Sequence, residues 1–200
     1  MGAQLAQMGM GVADTVMAGR YGSEDLAGVA LGSSILWPTL ILFMGVIQAV
    51  TPTVSQLNGS RSYSEIGEVI RQGIWMALFG GAAIFFILNN IGPVYELMRV
   101  DPAAVAIALP YLSMASYGLP ALMIFFCLRF LSDGMGYTRP ALIISVTALA
   151  IKIPMNYVLI YGKFGLPELG GVGCGVAQAI VMWLQLFLIL IVVSRERFAP

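Results

Sequence analysis

Histidine is absent from this chain of 200 residues, and cysteine occurs only twice. Without histidine there is no side chain whose ordinary pKa lies near neutrality, and none of the commonest metal ligands. Cys127 and Cys174 both fall in apolar stretches, where each reads as a small buried hydrophobe rather than half of a disulfide or a metal ligand. Charge is scarce as well. Only 10% of residues are charged, against about 25% in soluble domains. The net charge is zero, which argues against nucleic acid or another polyanion as partner. A basic n-region is missing, so no secretory signal pattern is visible. No nucleophile–base arrangement, metal cluster or phosphate loop supports an enzyme, and no cofactor is expected.

What is present is apolar. Hydrophobic residues make up 59% of the chain, and mean hydropathy is +0.89. The composition is that of an integral membrane protein. A membrane-crossing helix needs about 20 mostly apolar residues. Six stretches meet that length approximately: the start to about Ala18, Ala27 to Ser55, Val69 to Asn89, Ala103 to Leu131, Pro140 to Tyr161, and Gly171 to Val193. Linkers between them carry turn residues, such as Asn58-Gly59-Ser60, Asn90-Ile91-Gly92-Pro93 and Gly162-Lys163-Phe164-Gly165. Open sheet edges go unsatisfied in lipid, so the expected fold is an all-α, integral membrane six-helix bundle. Its first helix opens directly at Met1 and is expected to be cut at its start.

The linkers after the odd-numbered helices hold Arg20, Arg99 and Lys163. The other linkers with their flanks, and the tail, hold Arg61, Arg71, Arg129, Arg139, Arg195 and Arg197. Basic residues favour the cytoplasm. The second and fourth linkers and the C-terminus are therefore expected on the cytoplasmic side.

Glycine and proline punctuate the spans. The pairs Gly28/Gly32 and Gly171/Gly175 suit close helix contact. The run Gly170-Gly171-Val172-Gly173-Cys174-Gly175 reads as packing rather than a nucleotide loop, because no strand precedes it. Pro38, Pro52, Pro110, Pro120 and Pro154 each remove a backbone hydrogen bond and can kink a span.

Of the twenty charged residues, only Asp14 and Lys152 fall clearly within spans. A charge in the bilayer core costs at least about 3 kcal/mol. Gln7 precedes Asp14 by two turns on the same helix face. On the fifth span, Ser145, Lys152 and Asn156 share a stripe; the sixth adds Gln178, and the second adds Ser33, Trp37 and Gln48. Gln7, Trp37, Gln48 and Gln178 are candidate cavity-lining residues. Two isolated charges in hydrocarbon cost more than one hydrogen-bonded pair, so Asp14 and Lys152 are expected to approach one another. Alternatives are a static structural bridge, or each group snorkelling to its nearer interface. Desolvation favours the neutral carboxyl and a nearby cation the ionised one, so displacing Lys152 would let Asp14 take up a proton. Arg129 and Asp133, four residues apart, read as a structural pair at the end of the fourth span. The twelve Met and many aromatics suit a cavity that accepts varied apolar shapes, although most read as lipid-facing or packing.

Gly9-Met10-Gly11-Val12-Ala13-Asp14-Thr15-Val16-Met17-Ala18-Gly19 on the first span, Gln56-Leu57-Asn58-Gly59, and Leu131-Ser132-Asp133-Gly134-Met135 form a distinctive set. With them go Ile153-Pro154-Met155-Asn156-Tyr157-Val158-Leu159-Ile160-Tyr161-Gly162-Lys163-Phe164-Gly165 and Pro167-Glu168-Leu169-Gly170-Gly171-Val172-Gly173-Cys174-Gly175-Val176-Ala177. Together they resemble the multidrug and toxic compound extrusion (MATE) family, in its NorM-like bacterial branch. The resemblance implies one lobe of a twelve-helix transporter, here the N-terminal lobe over residues 1–200, with a second six-helix lobe as partner. It implies a multi-pass protein of the bacterial inner membrane that exports small cationic drug-like compounds against a proton or sodium gradient. It makes Asp14 the cation-site acid and Asn156 its helix-5 amide. One departure stands out. The NorM-like pattern has a second Asn one turn before Asn156, where this chain has Lys152. A fixed ammonium there would compete with sodium, which favours H+ over Na+ as the coupling ion. Gln178 also replaces a small hydroxyl of some relatives. Competing expectations are a lipid-linked oligosaccharide flippase, disfavoured because only Lys152 could meet a pyrophosphate, and a truncated half that transports nothing.

Overall fold

The computed structural model describes residues 2–165 and 167–195. The tail from residue 196, which includes Arg197 of the orientation count, lies outside the described residues, as does Met1. Nine α-helices follow in order: α1 (Gly2–Tyr21), α2 (Ser23–Ile47), α3 (Val50–Gly59), α4 (Tyr63–Asn89), α5 (Gly92–Leu97), α6 (Pro102–Ser116), α7 (Leu119–Gly134), α8 (Arg139–Ile160) and α9 (Gly171–Arg195). A single 3-10 turn, Lys163–Gly165, lies in the α8–α9 linker. No strand occurs among the described residues.

Among the described residues, four stretches are long and apolar enough to cross a membrane: Ser23–Gly59, Tyr63–Asn89, Arg139–Ile160 and Gly171–Ser194. The α6–α7 pair, bent by 52°, is a fifth if taken as one span. Helix α1 is 20 residues long but richer in Gly, Gln and Asp, and is less apolar than the others. The expected bundle is therefore present, with revised boundaries. The second span runs from Ser23 to Gly59 rather than from Ala27 to Ser55, and the third begins at Tyr63 rather than Val69. The short helix α5 has no counterpart among the expected elements.

Two of the five span prolines coincide with breaks. A proline clashes with the carbonyl four residues earlier and offers no N–H. For Pro52 that carbonyl belongs to Gln48, and for Pro120 to Ser116. The helix is interrupted at residues 48–49, beginning at Gln48, and at 117–118, directly after Ser116. Pro52 and Pro120 thus sit in the first turn of the next helical piece, where a missing donor costs nothing. Pro38, Pro110 and Pro154 lie inside unbroken helices.

The main core gathers Val29, Leu36 and Leu40 of α2, Ala77 and Ile84 of α4, Tyr111 and Leu112 of α6, and Met123, Phe125 and Phe126 of α7. Helix α1 lies against α8, and α8 against α9. There a smaller apolar cluster forms from Met10, Ala148 and Val181, flanked by Leu149 and Met155. Both small-residue pairs serve close approach. A Cβ at Gly32 would lie 2.5 Å from the Tyr111 ring, and one at Gly175 would lie 2.5 Å from the Tyr111 carbonyl oxygen. Tyr111 is thereby clasped between α2 and α9, and the Gly170–Gly175 run is a packing element.

Arg129 and Asp133 form the expected pair, with Nε and Oδ2 3.8 Å apart. Both cysteines are buried and free.

Candidate functional site

Helix α1 turns one face toward α8 and α9, and Asp14 sits on it. The side chains on its other side, Leu5, Met8, Val12 and Val16, are exposed. Asp14 is only 4% exposed, and Lys152 and Asn156 of α8 are fully buried. Lys152 Nζ donates to Asp14 Oδ2 at 2.7 Å and also to Gln178 Oε1 of α9. Asn156 Nδ2 donates to the other carboxylate oxygen, Oδ1, at 2.6 Å. Each carboxylate oxygen therefore has its own donor. The four-residue spacing puts Lys152 and Asn156 on the same face of α8, one turn apart, so that both reach one acid.

This geometry joins Asp14 and Lys152 in a buried salt bridge. Both side chains are turned into the bundle rather than exposed on its surface. The pair is hydrogen-bonded and each oxygen of the acid has a donor, the arrangement in which buried ions are tolerable. The amide of Gln178 extends it onto a third helix. Cys174 of α9 brings its Sγ to 4.0 Å from the Asp14 carbonyl oxygen, a neighbour that apolar patterning had marked only as a hydrophobe.

The other expected lining residues are placed differently. Gln7 is half-buried two turns from Asp14, and its Nε2 has no hydrogen-bond partner among the described residues. Trp37 packs against the main core, its indole nitrogen 3.9 Å from where a Cβ at Gly11 would stand. Gln48 is exposed at the α2–α3 break. Neither Trp37 nor Gln48 hydrogen-bonds to the Asp14 cluster. Ser33 pairs instead with the Tyr111 hydroxyl at 3.4 Å.

Two polar features went unnoticed in the sequence. Asp25, in the first turn of α2, accepts from the Gly171 N–H at the start of α9 at 2.6 Å. Its carboxylate thus meets the positive end of another helix's dipole, 146 residues away in sequence. Gln185 is buried on α9. The available signal was its place seven residues after Gln178, the same stripe two turns on.

A bundle of apolar helices with one charged pair and two amides sealed among three of them defines a polytopic membrane protein, built around an internal ionic site rather than a surface one. The family model MatE matches residues 1–158. The chain belongs to the MATE family. It is 43% identical over 196 residues to the multidrug resistance proteins MdtK of Yersinia pestis (strain Pestoides F) and Yersinia pseudotuberculosis serotype O:1b (strain IP 31758). Those alignments cover 98% of this chain and 43% of each relative, so the chain spans less than half the length of the curated relatives it matches. Among solved structures, the eukaryotic MATE transporter AtDTX14 superposes with a TM-score of 0.89 at 20% identity, covering 98% of this chain and 43% of that one. An outward-facing MATE transporter of the MOP superfamily gives 0.87 at 20% identity, covering 100% and 46%. At that identity the likeness concerns the fold.

Proposed function

We propose that this chain is the N-terminal lobe of a multidrug exporter of the bacterial inner membrane, in which Asp14 exchanges a coupling cation for a cationic amphipathic substrate, with H+ favoured over Na+. The observation that carries the reading is the Lys152 ammonium on Asp14 Oδ2 at 2.7 Å. The ammonium on one carboxylate oxygen would compete with a sodium ion for Asp14, which supports the choice of proton. A proton needs no coordination sphere. It adds to one carboxylate oxygen, and the neutral acid releases the ammonium, which keeps its bond to Gln178 Oε1. Loss of that proton restores the ion pair. Asn156 holds the carboxylate oriented through the cycle by its bond to Oδ1.

Similarity to proteins named for multidrug resistance supports a drug-like cargo. Alternating access normally closes one repeat against another around a central site, so export belongs to an assembly with a second six-helix lobe, in the same or another polypeptide. The linkers carrying Arg61, Arg71, Arg129 and Arg139, and the C-terminus, face the cytoplasm in this reading.

The test is dye efflux by the complete two-lobed transporter. Asp14→Asn should abolish ion-coupled export, and unchanged export would rule the role out. Collapsing the proton gradient should stop efflux while removal of sodium leaves it intact. Lys152→Asn, which restores the amide of the NorM-like pattern, should bring in a response to sodium. Export by the unaltered protein that needs sodium but not the proton gradient would overturn the choice of ion.

A further inference from the structure

The contacts around Asp14 fix the register of three helices. Along α1 and α8, a Cβ at Gly9 would lie 3.3 Å from Leu149, and Asp14 meets Lys152 and Asn156; the numbers rise together, so these helices are parallel. Along α8 and α9, Gly173 lies against Leu159 and Gln178 bonds to Lys152, while Val181 clusters with Ala148; the numbers run oppositely, so these helices are antiparallel. One level toward the N-terminus of α1, the three helices supply Met10, Ala148 and Val181, all apolar and buried. The next level follows from the same register. It holds Gln7, Ser145 and Gln185, each seven residues from Asp14, Lys152 and Gln178 respectively. Seven residues are two turns, about 10 Å along the axes.

All three residues of this inner level carry a buried polar atom without a hydrogen-bond partner: Gln7 Nε2, Ser145 Oγ and Gln185 Nε2. Ser145 and Gln185 are buried, with 0% and 2% exposure. Three of the five such atoms among the described residues fall on this one level. Leaving a buried donor or acceptor unpaired costs about 1–3 kcal/mol each, and native interiors rarely bear that three times in one place. The groups are two carboxamides and a hydroxyl, with no carboxylate or thiolate to hold a bare metal ion. A buried water forms about three hydrogen bonds, the number this level offers.

From this we infer that Gln7, Ser145 and Gln185 form a second intramembrane site, which binds water. The Met10–Ala148–Val181 layer separates it from the Asp14 cluster. The site is an inner hydrated station, and the apolar layer is the dry barrier between it and the ion pair. The inference is independent of which ion the protein couples to, because its observable is hydration and not transport.

Infrared spectroscopy of the S–H stretch tests it in the chain as it stands, reconstituted in lipid, with Cys127 and Cys174 replaced by Ala. Ser145→Cys nearly preserves size and puts a thiol at the site. Val181→Cys puts one in the apolar layer. The thiol at 145 should absorb at a hydrogen-bonded position and exchange with D2O; the thiol at 181 should absorb as a free S–H and exchange at least tenfold more slowly. Adding Gln185→Met should move the band of Ser145→Cys toward the free position, because the two side chains share the same water. Free, slowly exchanging thiols at both positions would overturn the site. So would a hydrogen-bonded thiol at 145 that ignores Gln185→Met, since that is the signature of a bond to the helix's own carbonyl.

Discussion

The α1–α8–α9 corner and the α2–α4–α6–α7 core are held together by different physics. In the corner, the groups of the Asp14 cluster depend on one another: Asp14 on Lys152 and Asn156, and Lys152 also on Gln178. In the core, Phe125, Met123, Leu112 and Ile84 are fully buried with no polar obligation. A cluster of partners can be damaged by removing one member and repaired by removing the other. A packed core cannot be repaired that way, because a void has no counterpart to delete. The stability of the corner therefore rests on matched partners, and that of the core on packing.

The sharpest way to break this contrast is to strip the cation from the corner. Lys152→Met leaves the Asp14 carboxylate buried with only Asn156 as donor. It should lower unfolding free energy in detergent by about 3–5 kcal/mol. The double replacement Asp14→Asn/Lys152→Met should regain most of that loss. A double variant as unstable as the single one would mean that Asp14 and Lys152 are not energetically coupled. Phe125→Ala in the core should cost a similar amount, about 3–5 kcal/mol, and no second substitution in contact with it should restore more than a small part.

The boundary between the two regions offers a smaller effect. Gly175 lets α9 press on the Tyr111 backbone in α6, and Gln178 follows three residues later on the same helix. A methyl group 2.5 Å from the Tyr111 oxygen must push α9 outward. Gly175→Ala should cost about 2 kcal/mol in thermal unfolding. It should also weaken the Lys152–Gln178 contact, so the loss on adding Gln178→Leu should be smaller in Gly175→Ala than in the parent. Equal losses would show that the core does not position the corner.

Much of the corner was legible because charge is so rare in this chain. With only Asp14 and Lys152 clearly inside spans, the cost of isolated charges paired them, and the resemblance to the MATE family added the Asn156 amide. Trp37 and Gln48 stand apart from the Asp14 cluster for a related reason. Helical spacing says which residues share a face but not which neighbour that face meets, and Gln48 lies exposed in the break between α2 and α3. The break itself follows from Pro52, yet sequence alone does not say that Pro38 and Pro154 leave their helices whole. Asp25 escaped notice because it lies at a span end, where acids are common. Its partner is a backbone N–H, which carries no residue identity to search for.

The smallest expected effect lies at the helix ends, where backbone conformation and residue identity disagree. Arg61 and Arg99 adopt positive φ, 59° and 53°, where glycine is usual, and Gly136 does so at 88°. At Arg61 the Ser62 N–H donates to the Leu57 carbonyl at 3.0 Å and the Arg61 N–H to Asn58 at 3.2 Å, the Schellman closure of α3. Gly136 closes α7 in the same way, through Tyr137 to Ser132 at 2.8 Å and its own N–H to Asp133 at 3.1 Å. A left-handed non-glycine residue costs about 1 kcal/mol. Arg61→Gly should therefore raise stability by about 0.5–1 kcal/mol, and Gly136→Ala, whose Cβ would meet nothing within 4 Å, should lower it by about 1 kcal/mol through the backbone alone. Arg61 is also one of the basic residues that favour a cytoplasmic second linker. If Arg61→Gly stabilises the folded chain yet lowers the fraction inserted with that linker inside, the arginine is retained for orientation at the expense of its turn. If it does neither, the strain at Arg61 is relieved by its surroundings and the positive φ carries no penalty.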